Sequence, residues 1–403
     1  MKIKVNSEIG KLKKVLVHRP GKEVERLYPE IYERLLFDGI MYTDVAQQEH
    51  DVFTSKLREN GVEVLYIEEQ VAEALTLKPE AKEIFADRYV ELAGIENEAV
   101  KVAVKKYLLS FKDNKKMVDA SIAGIKKTEI QPDFKNKLSD HIEQHQEYPF
   151  YVDPIPNILF QRDPIASIFG GMSLHNMNRE TRKREKLYYE IVFKFHPDFM
   201  DIDNHILPTS IGTMEGGDVL VISKETIFVG ISERTTAKAA EELAEILFEK
   251  YDHLKRVIGI EIPHSHATMH LDTILTQMDK TLFSIDPDMY KENYTYYEIT
   301  RDGLEVFKNT HILNLLRKYV HPDTEVIQVG GGDIVRAKRE QWNDGANCLA
   351  IAPGKIVVYE RNVITNALVA EAGVEVIAVP SSELSLGRGG PRCMSMPLER
   401  EDI

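Results

Sequence analysis

Apolar and polar positions along this chain follow two periods, and the pattern switches repeatedly from strand-like to helical and back. The first apolar run, Val15-Leu16-Val17, stops at Pro20-Gly21 and predicts a short strand. A helix is expected from about Thr43, with Val45, Gln48, Val52 and Leu57 on one face and a C-terminal stop at Asn60-Gly61. A strand at 62–67 follows at once. The same phrase returns at 368–379, where Gly373 closes a helix and Val374-Glu375-Val376 opens a strand. Glu215-Gly216-Gly217-Asp218 leads into a strand at 219–222, a second at 226–229, and then Glu233-Arg234. Gly331-Gly332-Asp333-Ile334-Val335 reads as a partial copy of that strand start, joined through an inserted loop to residues 355–361. Looser copies begin at Asn157 and His270, with later strands at 257–262 and 324–329. Counting the N-terminal strand, these are five starts of a strand–strand–helix–strand module. Modules that cannot each bury their own apolar face should pack around an axis, strand ends converging on a central cavity. Residues 70–145 break the pattern: Val100, Val104, Tyr107 and Phe111 keep a helical period between lysine-rich spacers. The expected organisation is an α/β body formed by 1–69 and 146–403, with 70–145 a helical insertion serving as lid or packing surface.

Composition narrows the class. With 403 residues, 43% apolar and 29% charged, the chain can build two ordinary domains or one large one with an insertion. No apolar run approaches the roughly 18 residues of a membrane span, and Met1-Lys2-Ile3-Lys4-Val5 alternates like a strand rather than a signal-peptide core. Two cysteines, Cys348 and Cys393, offer no disulfide framework and fit a reducing cytosol. A net charge of −14 argues against nucleic acid or anionic membrane as partner and is compatible with a small cationic substrate. Cys348 sits in a run that reads as a buried strand, and its role is structural.

The candidate chemistry centres on Leu386–Pro397, where glycines at 387, 389 and 390 precede Cys393, with Arg388 and Arg392 nearby. The segment is too polar and too broken to read as core, and could be a mobile tail carrying a thiol. In His270-Leu271-Asp272, strand geometry would send imidazole and carboxylate to one face. That pair could be a proton shuttle, a core hydrogen bond, or part of a metal site with His264 and His266. Glu215-Gly216-Gly217-Asp218 places two acids around a tight turn, and Gly330 stands where the copy would need the glutamate. Asp163 ends an apolar run before Pro164 and could be only a turn former. Arg182, Arg234 and Arg388, taken singly, read as surface charges.

Taken together, Phe160-Gln161-Arg162-Asp163, Glu215-Gly216-Gly217-Asp218, His270-Leu271-Asp272-Thr273 and Cys393-Met394-Ser395-Met396-Pro397 closely resemble the bacterial arginine deiminases. These belong to the guanidine-modifying superfamily with a pentein propeller. The resemblance runs from Val17-His18-Arg19-Pro20 to the C-terminal motif and includes the helical insertion. It implies a five-bladed, pseudo-symmetric α/β propeller of ββαβ modules with an inserted helical bundle. It also implies hydrolysis of L-arginine to L-citrulline and ammonia through an amidino-cysteine, as the first step of arginine degradation. The catalytic set it implies is Cys393, His270, Glu215, Asp163 and Asp272. Asn157, Phe160, Arg182, Arg234, Gly387 and Arg388 would bind substrate, with no metal and no cofactor. A homodimer or larger homo-oligomer in the cytoplasm would follow. Gln161 departs from the family pattern, where a threonine or similar small residue is expected beside the binding acid.

The chemistry suits these residue types. A guanidinium is planar, stays charged, and presents a fork of donors that two carboxylates can pair. Its carbon is a poor electrophile, which calls for a thiolate as nucleophile and an imidazole to protonate the departing amine. Agmatine deiminase, dimethylarginine hydrolase and amidinotransferase are competing readings; three arginines suited to an α-carboxylate argue against agmatine. A non-catalytic binding protein is disfavoured by the complete set of reactive residues.

Overall fold

Four times the chain makes a strand, turns back into an antiparallel neighbour, crosses through a helix and returns parallel to that neighbour. The computed structural model describes residues 3–200, 203–206, 212–263 and 269–403. Among the described residues, five sheets of three or more strands centre on Leu12–Val17, Gly171–Leu174, Thr226–Ile231, Leu282–Ile285 and Lys355–Tyr359, beside a two-stranded pair of Ile125–Lys126 with Phe150–Val152. Each centre strand has one antiparallel and one parallel partner. The crossing helices are Thr43–Glu59, Lys186–Phe195, Ala237–Lys250, Ile312–Tyr319 and Val363–Glu371. Gly61 and Gly373 end two of them with φ of 78° and 89°, the left-handed turn that a helix-to-strand stop requires. The first sheet takes its antiparallel strand, Met396–Arg400, from the far end of the sequence.

Four expectations are corrected. The helix Thr43–Glu59 buries Ala46, Glu49, His50, Phe53 and Leu57, while Gln48 and Val52 face out. The predicted face was misplaced because Glu49 is a buried polar residue: its carboxylate accepts the backbone N–H groups of Ser382, Glu383 and Leu384. Gly331–Val335 starts no strand. Asp333 caps a surface helix, Ile334–Trp342, and the strand of the fifth sheet is Leu349–Ala352. His270-Leu271-Asp272 is likewise no strand but the entry to a one-turn helix, Leu271–Ile274, with extended backbone at His270. Near the N-terminus, Lys4 and Val5 make only isolated bridges.

Helices Ile67–Leu77, Glu80–Leu92, Glu98–Ser110, Asn114–Ile122 and Leu138–His145 fill the stretch expected to be helical. Val100, Val104 and Leu108 point into a core that also contains Tyr188 and Ile191 of the second crossing helix and Leu398 of the first sheet. These helices therefore lean on the sheets through shared apolar contacts rather than standing apart. A long hairpin, Asn293–Thr300 with Gly303–His311, widens the third sheet to five strands. Among the described residues no helix is long and apolar enough to cross a membrane.

Candidate active site

The reactive side chains share one address: each sits just before the first strand of a sheet. Asp163 precedes Ile165–Ile168, Glu215 precedes Val219–Ser223, His270 and Asp272 precede Leu275–Asp279, and Cys393 precedes Met396–Arg400. The fifth sheet supplies Asn347, immediately before Leu349–Ala352, a residue the sequence reading did not assign to the site. Its amide donates to the Asp272 carbonyl at 3.0 Å and accepts the Cys393 N–H at 3.1 Å, tying nucleophile to acid.

Cys393, His270, Asp163, Phe160 and Asn157 line one cavity with Arg182, Arg234, Gly387 and Arg388. Its volume is about 20 Å³, room for about one water and not for an amino acid. Glu215 and Asp272 lie behind this surface, fully buried. The glycine segment before Cys393 is no loose tail: Arg388, Arg392 and Cys393 are all buried, because each cation has a partner inside. Close approach explains two glycines. A Cβ on Gly389 would stand 2.3 Å from the Phe160 ring, and one on Gly217 would stand 2.7 Å from His270. Clefts of about 500 Å³ exist elsewhere, one beside His18, but that imidazole is already paired with Glu23 and Glu68.

Hydrogen bonds set the charge states. His270 Nε2 lies 2.7 Å from Glu215 Oε2, and Nδ1 lies 3.8 Å from Asp163 Oδ1. Burial alone would depress the imidazole, but Asp163 and Glu215 outweigh it and raise His270 to about 9. Burial works against the Glu215 anion too; the His270 bond and the charges of Arg234 and Arg182 overcome it, leaving this carboxyl below its usual range. For Cys393, burial, Asp272 and Asp163 all push the thiol well above its ordinary value, and Arg392 pulls the other way. These shifts pair an imidazolium with a neutral thiol.

Each of the two central acids is held by one oxygen only. Arg182 Nη1 donates to Asp163 Oδ2 at 2.7 Å, and Arg392 donates to Asp272 Oδ2. The other oxygens, Asp163 Oδ1 and Asp272 Oδ1, are buried with no hydrogen-bond partner. An unmet acceptor of this kind costs about 1–3 kcal/mol, more for a charge, so two in one site invite a cation bearing donors. Cys393 Sγ lies 3.8 Å from Asp272 Oδ2. Most of the Arg182 donors are engaged, on Asp163, on Glu185 through both oxygens, and on the Asn157 carbonyl. Arg234 Nε remains buried without a partner. Asn157 Nδ2 donates to the Leu35 carbonyl. Gln161, the departure from the family pattern, is buried and turned toward Tyr189 and the Ile158 carbonyl.

Asp218, the second acid of its motif, is a clamp. Its Oδ1 accepts the Leu271 N–H at 2.8 Å and its Oδ2 accepts the Ser232 hydroxyl, holding the backbone that carries His270. Asp163, Glu215 and His270 have donor atoms within 4.8 Å of one another, a spacing an ion could use. Arg182 and Arg234 already meet those carboxylates with positive charge, so the set has little need of a metal. His264 and His266 lie outside the described residues.

Known structures share this fold. Dimethylarginine dimethylaminohydrolase from Pseudomonas aeruginosa, solved with citrulline, matches 96% of this chain and 99% of its own, with TM-score 0.54 and 15% identity. An amidinotransferase of the saxitoxin pathway from Microseira wollei matches 100% of this chain and 98% of its own, with TM-score 0.58 and 13% identity. At that identity the likeness defines the class of fold and no more. Sequence goes further. The arginine deiminase family model matches residues 33–400. The arginine deiminase of Clostridium perfringens (strain SM101 / Type A) is 46% identical across 100% of this chain and 98% of the relative. That of Borrelia duttonii (strain Ly) is also 46% identical, over the same shares. The chain belongs to the arginine deiminase family.

Proposed function

We propose that the protein hydrolyses L-arginine to L-citrulline and ammonia, with Cys393 as nucleophile and a covalent amidino-cysteine as intermediate. The observation that carries this is the pair of unmet carboxylate oxygens on Asp163 and Asp272, the second belonging to an acid in contact with the Cys393 sulfur. A guanidinium between them would be neutralised and turned so that its carbon faces the thiolate. Its charge also offsets the acids that hold the thiol protonated, so binding favours loss of the thiol proton to solvent. The thiolate adds to the guanidinium carbon and gives a neutral tetrahedral adduct. The His270 imidazolium then gives its proton to one nitrogen, which leaves as ammonia, and an amidinium stays on sulfur. Neutral His270 takes a proton from water as the oxygen attacks; the C–S bond breaks, freeing citrulline and thiolate, and the last proton goes to ammonia. Glu215 orients and charges the imidazole throughout.

At the other end of the substrate, Arg234 has a donor free for the α-carboxylate, and Arg388 joins it from the glycine segment. Arg182 serves there once it exchanges part of its hold on Glu185. Asn157 and the backbone at Gly387 take the α-amino group, and Phe160 walls the aliphatic chain. Because the cavity is far smaller than arginine, the 386–390 segment must move on binding, with the Glu49 contacts at 382–384 as its fixed end. The five sheets are the blades of a propeller, 1–69 and 146–403 its catalytic body, and 70–145 an inserted helical bundle. A cytoplasmic homodimer or larger homo-oligomer acting first in arginine breakdown completes the reading.

Rapid quench with arginine followed by mass spectrometry should find an amidino group on the peptide containing Cys393. An unmodified peptide throughout turnover would sink the covalent route. Titrating the thiolate absorbance with a non-reactive arginine analogue should move the Cys393 midpoint down; an unmoved midpoint would remove substrate-assisted deprotonation.

A further inference from the structure

Two buried chains of charge flank the cavity, and both run carboxylate, guanidinium, carboxylate. On one side Asp163 meets Arg182, and Glu185 forks Arg182 through both oxygens. On the other, Asp272 meets Arg392 Nη1, and Arg392 Nη2 lies 3.0 Å from Glu8 Oε2. Glu8 comes from the segment before the first sheet, outside every motif, and its Oε1 accepts the Val221 N–H at 3.0 Å. Glu8, Arg392 and Asp272 are at most 7% exposed. A buried arginine with one anion would leave most of its donors unmet; here a second anion and the Val219 carbonyl engage Nη2 as Asp272 engages Nη1, and Nε alone keeps no partner. The oxygen of Asp272 that Arg392 holds is also the one 3.8 Å from the sulfur, and its other oxygen is left free.

We propose that Glu8 and Arg392 are positioning residues for the reaction. Glu8 anchors the Arg392 guanidinium, and Arg392 grips Asp272 by one oxygen, turning the other toward substrate while a full positive charge stands beside the Cys393 sulfur. The inference rests on the roles given above to Asp272 and Cys393. Glu8 has a second effect, since as counter-ion it damps the field that Arg392 exerts on the sulfur. The two residues therefore act on the thiol with opposite sign. Without the Arg392 charge, Asp272 stands uncompensated beside the sulfur and the thiolate is disfavoured. Without the Glu8 charge, the cation stands uncompensated and the thiolate is favoured. The other charges facing this cluster, Asp163, Asp344, His270, Arg162 and Arg400, are the same in both cases.

The test is the ultraviolet thiolate band of the substrate-free chain against pH, with the spectrum of the Cys393→Ser chain subtracted. Glu8→Gln should lower the midpoint, giving about ten-fold more thiolate at a fixed pH below it. Arg392→Gln should raise the midpoint, and Glu8→Asp, which keeps the charge, should stay near the parent. An unmoved midpoint in Glu8→Gln, or shifts of the same sign in Glu8→Gln and Arg392→Gln, overturns the proposal. If circular dichroism finds Arg392→Gln unfolded, the contrast between Glu8→Gln and Glu8→Asp decides alone. No arginine enters this measurement, so failure of the covalent route would appear separately, in the quench experiment.

Discussion

At residues 216–218 and 331–333 the chain spells the same Gly-Gly-Asp, yet one copy lies at the heart of the site and the other on the surface. The first is fully buried, follows Glu215 and leads directly into a first strand. The second is exposed; Gly330, Gly331 and Gly332 run through φ of 70°, 66° and 89°, and Asp333 caps a helix by accepting the Arg336 N–H at 2.9 Å. The difference is one of place. The reactive residues stand at the mouths of first strands, and in the fifth sheet that mouth is Asn347, beyond the inserted helix. A shared phrase marks common local geometry, whereas chemistry follows from where the strand begins.

Five substitutions test that contrast. Glu215→Gln should lower kcat by about 10²–10⁴-fold, the usual range for disabling a proton-transfer partner. It should also move the alkaline limb of kcat/KM toward acid, because Glu215 is one of the charges that hold His270 up at about 9. The sign is fixed by linkage. Stabilisation from this raised imidazole is complete below about 6.5 and disappears as pH climbs through about 9, so the variant should lose stability most at low pH. Next, Gly217→Ala drives a methyl into the His270 ring and should cost roughly 10²-fold in kcat, whereas Gly332→Ala should leave kcat intact and lower stability by about 1–2 kcal/mol. Asn347→Ala should lower kcat by about ten-fold while KM moves less, since the amide holds the nucleophile rather than the substrate. The smallest effect belongs to Asp333→Ala: about 1 kcal/mol in thermal unfolding and no change in turnover. A turnover defect in Asp333→Ala comparable to that of Gly217→Ala would erase the distinction between the two copies.

What the sequence made legible was contiguous. Phe160–Asp163, Glu215–Asp218, His270–Asp272 and Cys393 could be picked out because each motif is a short run, and the ββαβ repeat could be seen because its helix stops and strands recur. The backbone at His270 was misjudged, but the imidazole and carboxylate still reach the same site because the helical turn is only one turn long. Asn347 was hidden because the helix Ile334–Trp342 displaces the strand start from the Gly-Gly-Asp that resembles one. Glu8 was hidden for another reason: its partner is 384 positions away, and no local pattern announces a pair at that separation. Arg388 and Arg392 made their segment look solvent-exposed, because a sequence displays the charge of a side chain and not the anion waiting for it.

The pairing of Leu12–Val17 with Met396–Arg400 has a consequence for how the molecule comes into being. On the ribosome, the opening strand has no antiparallel neighbour until residues 396–400 have emerged, and the sulfur rides just ahead of that late neighbour. A half-made chain can therefore assemble its acids and imidazole yet remain chemically silent, acquiring its reactive atom in the same event that fastens the two distant ends of the sequence together.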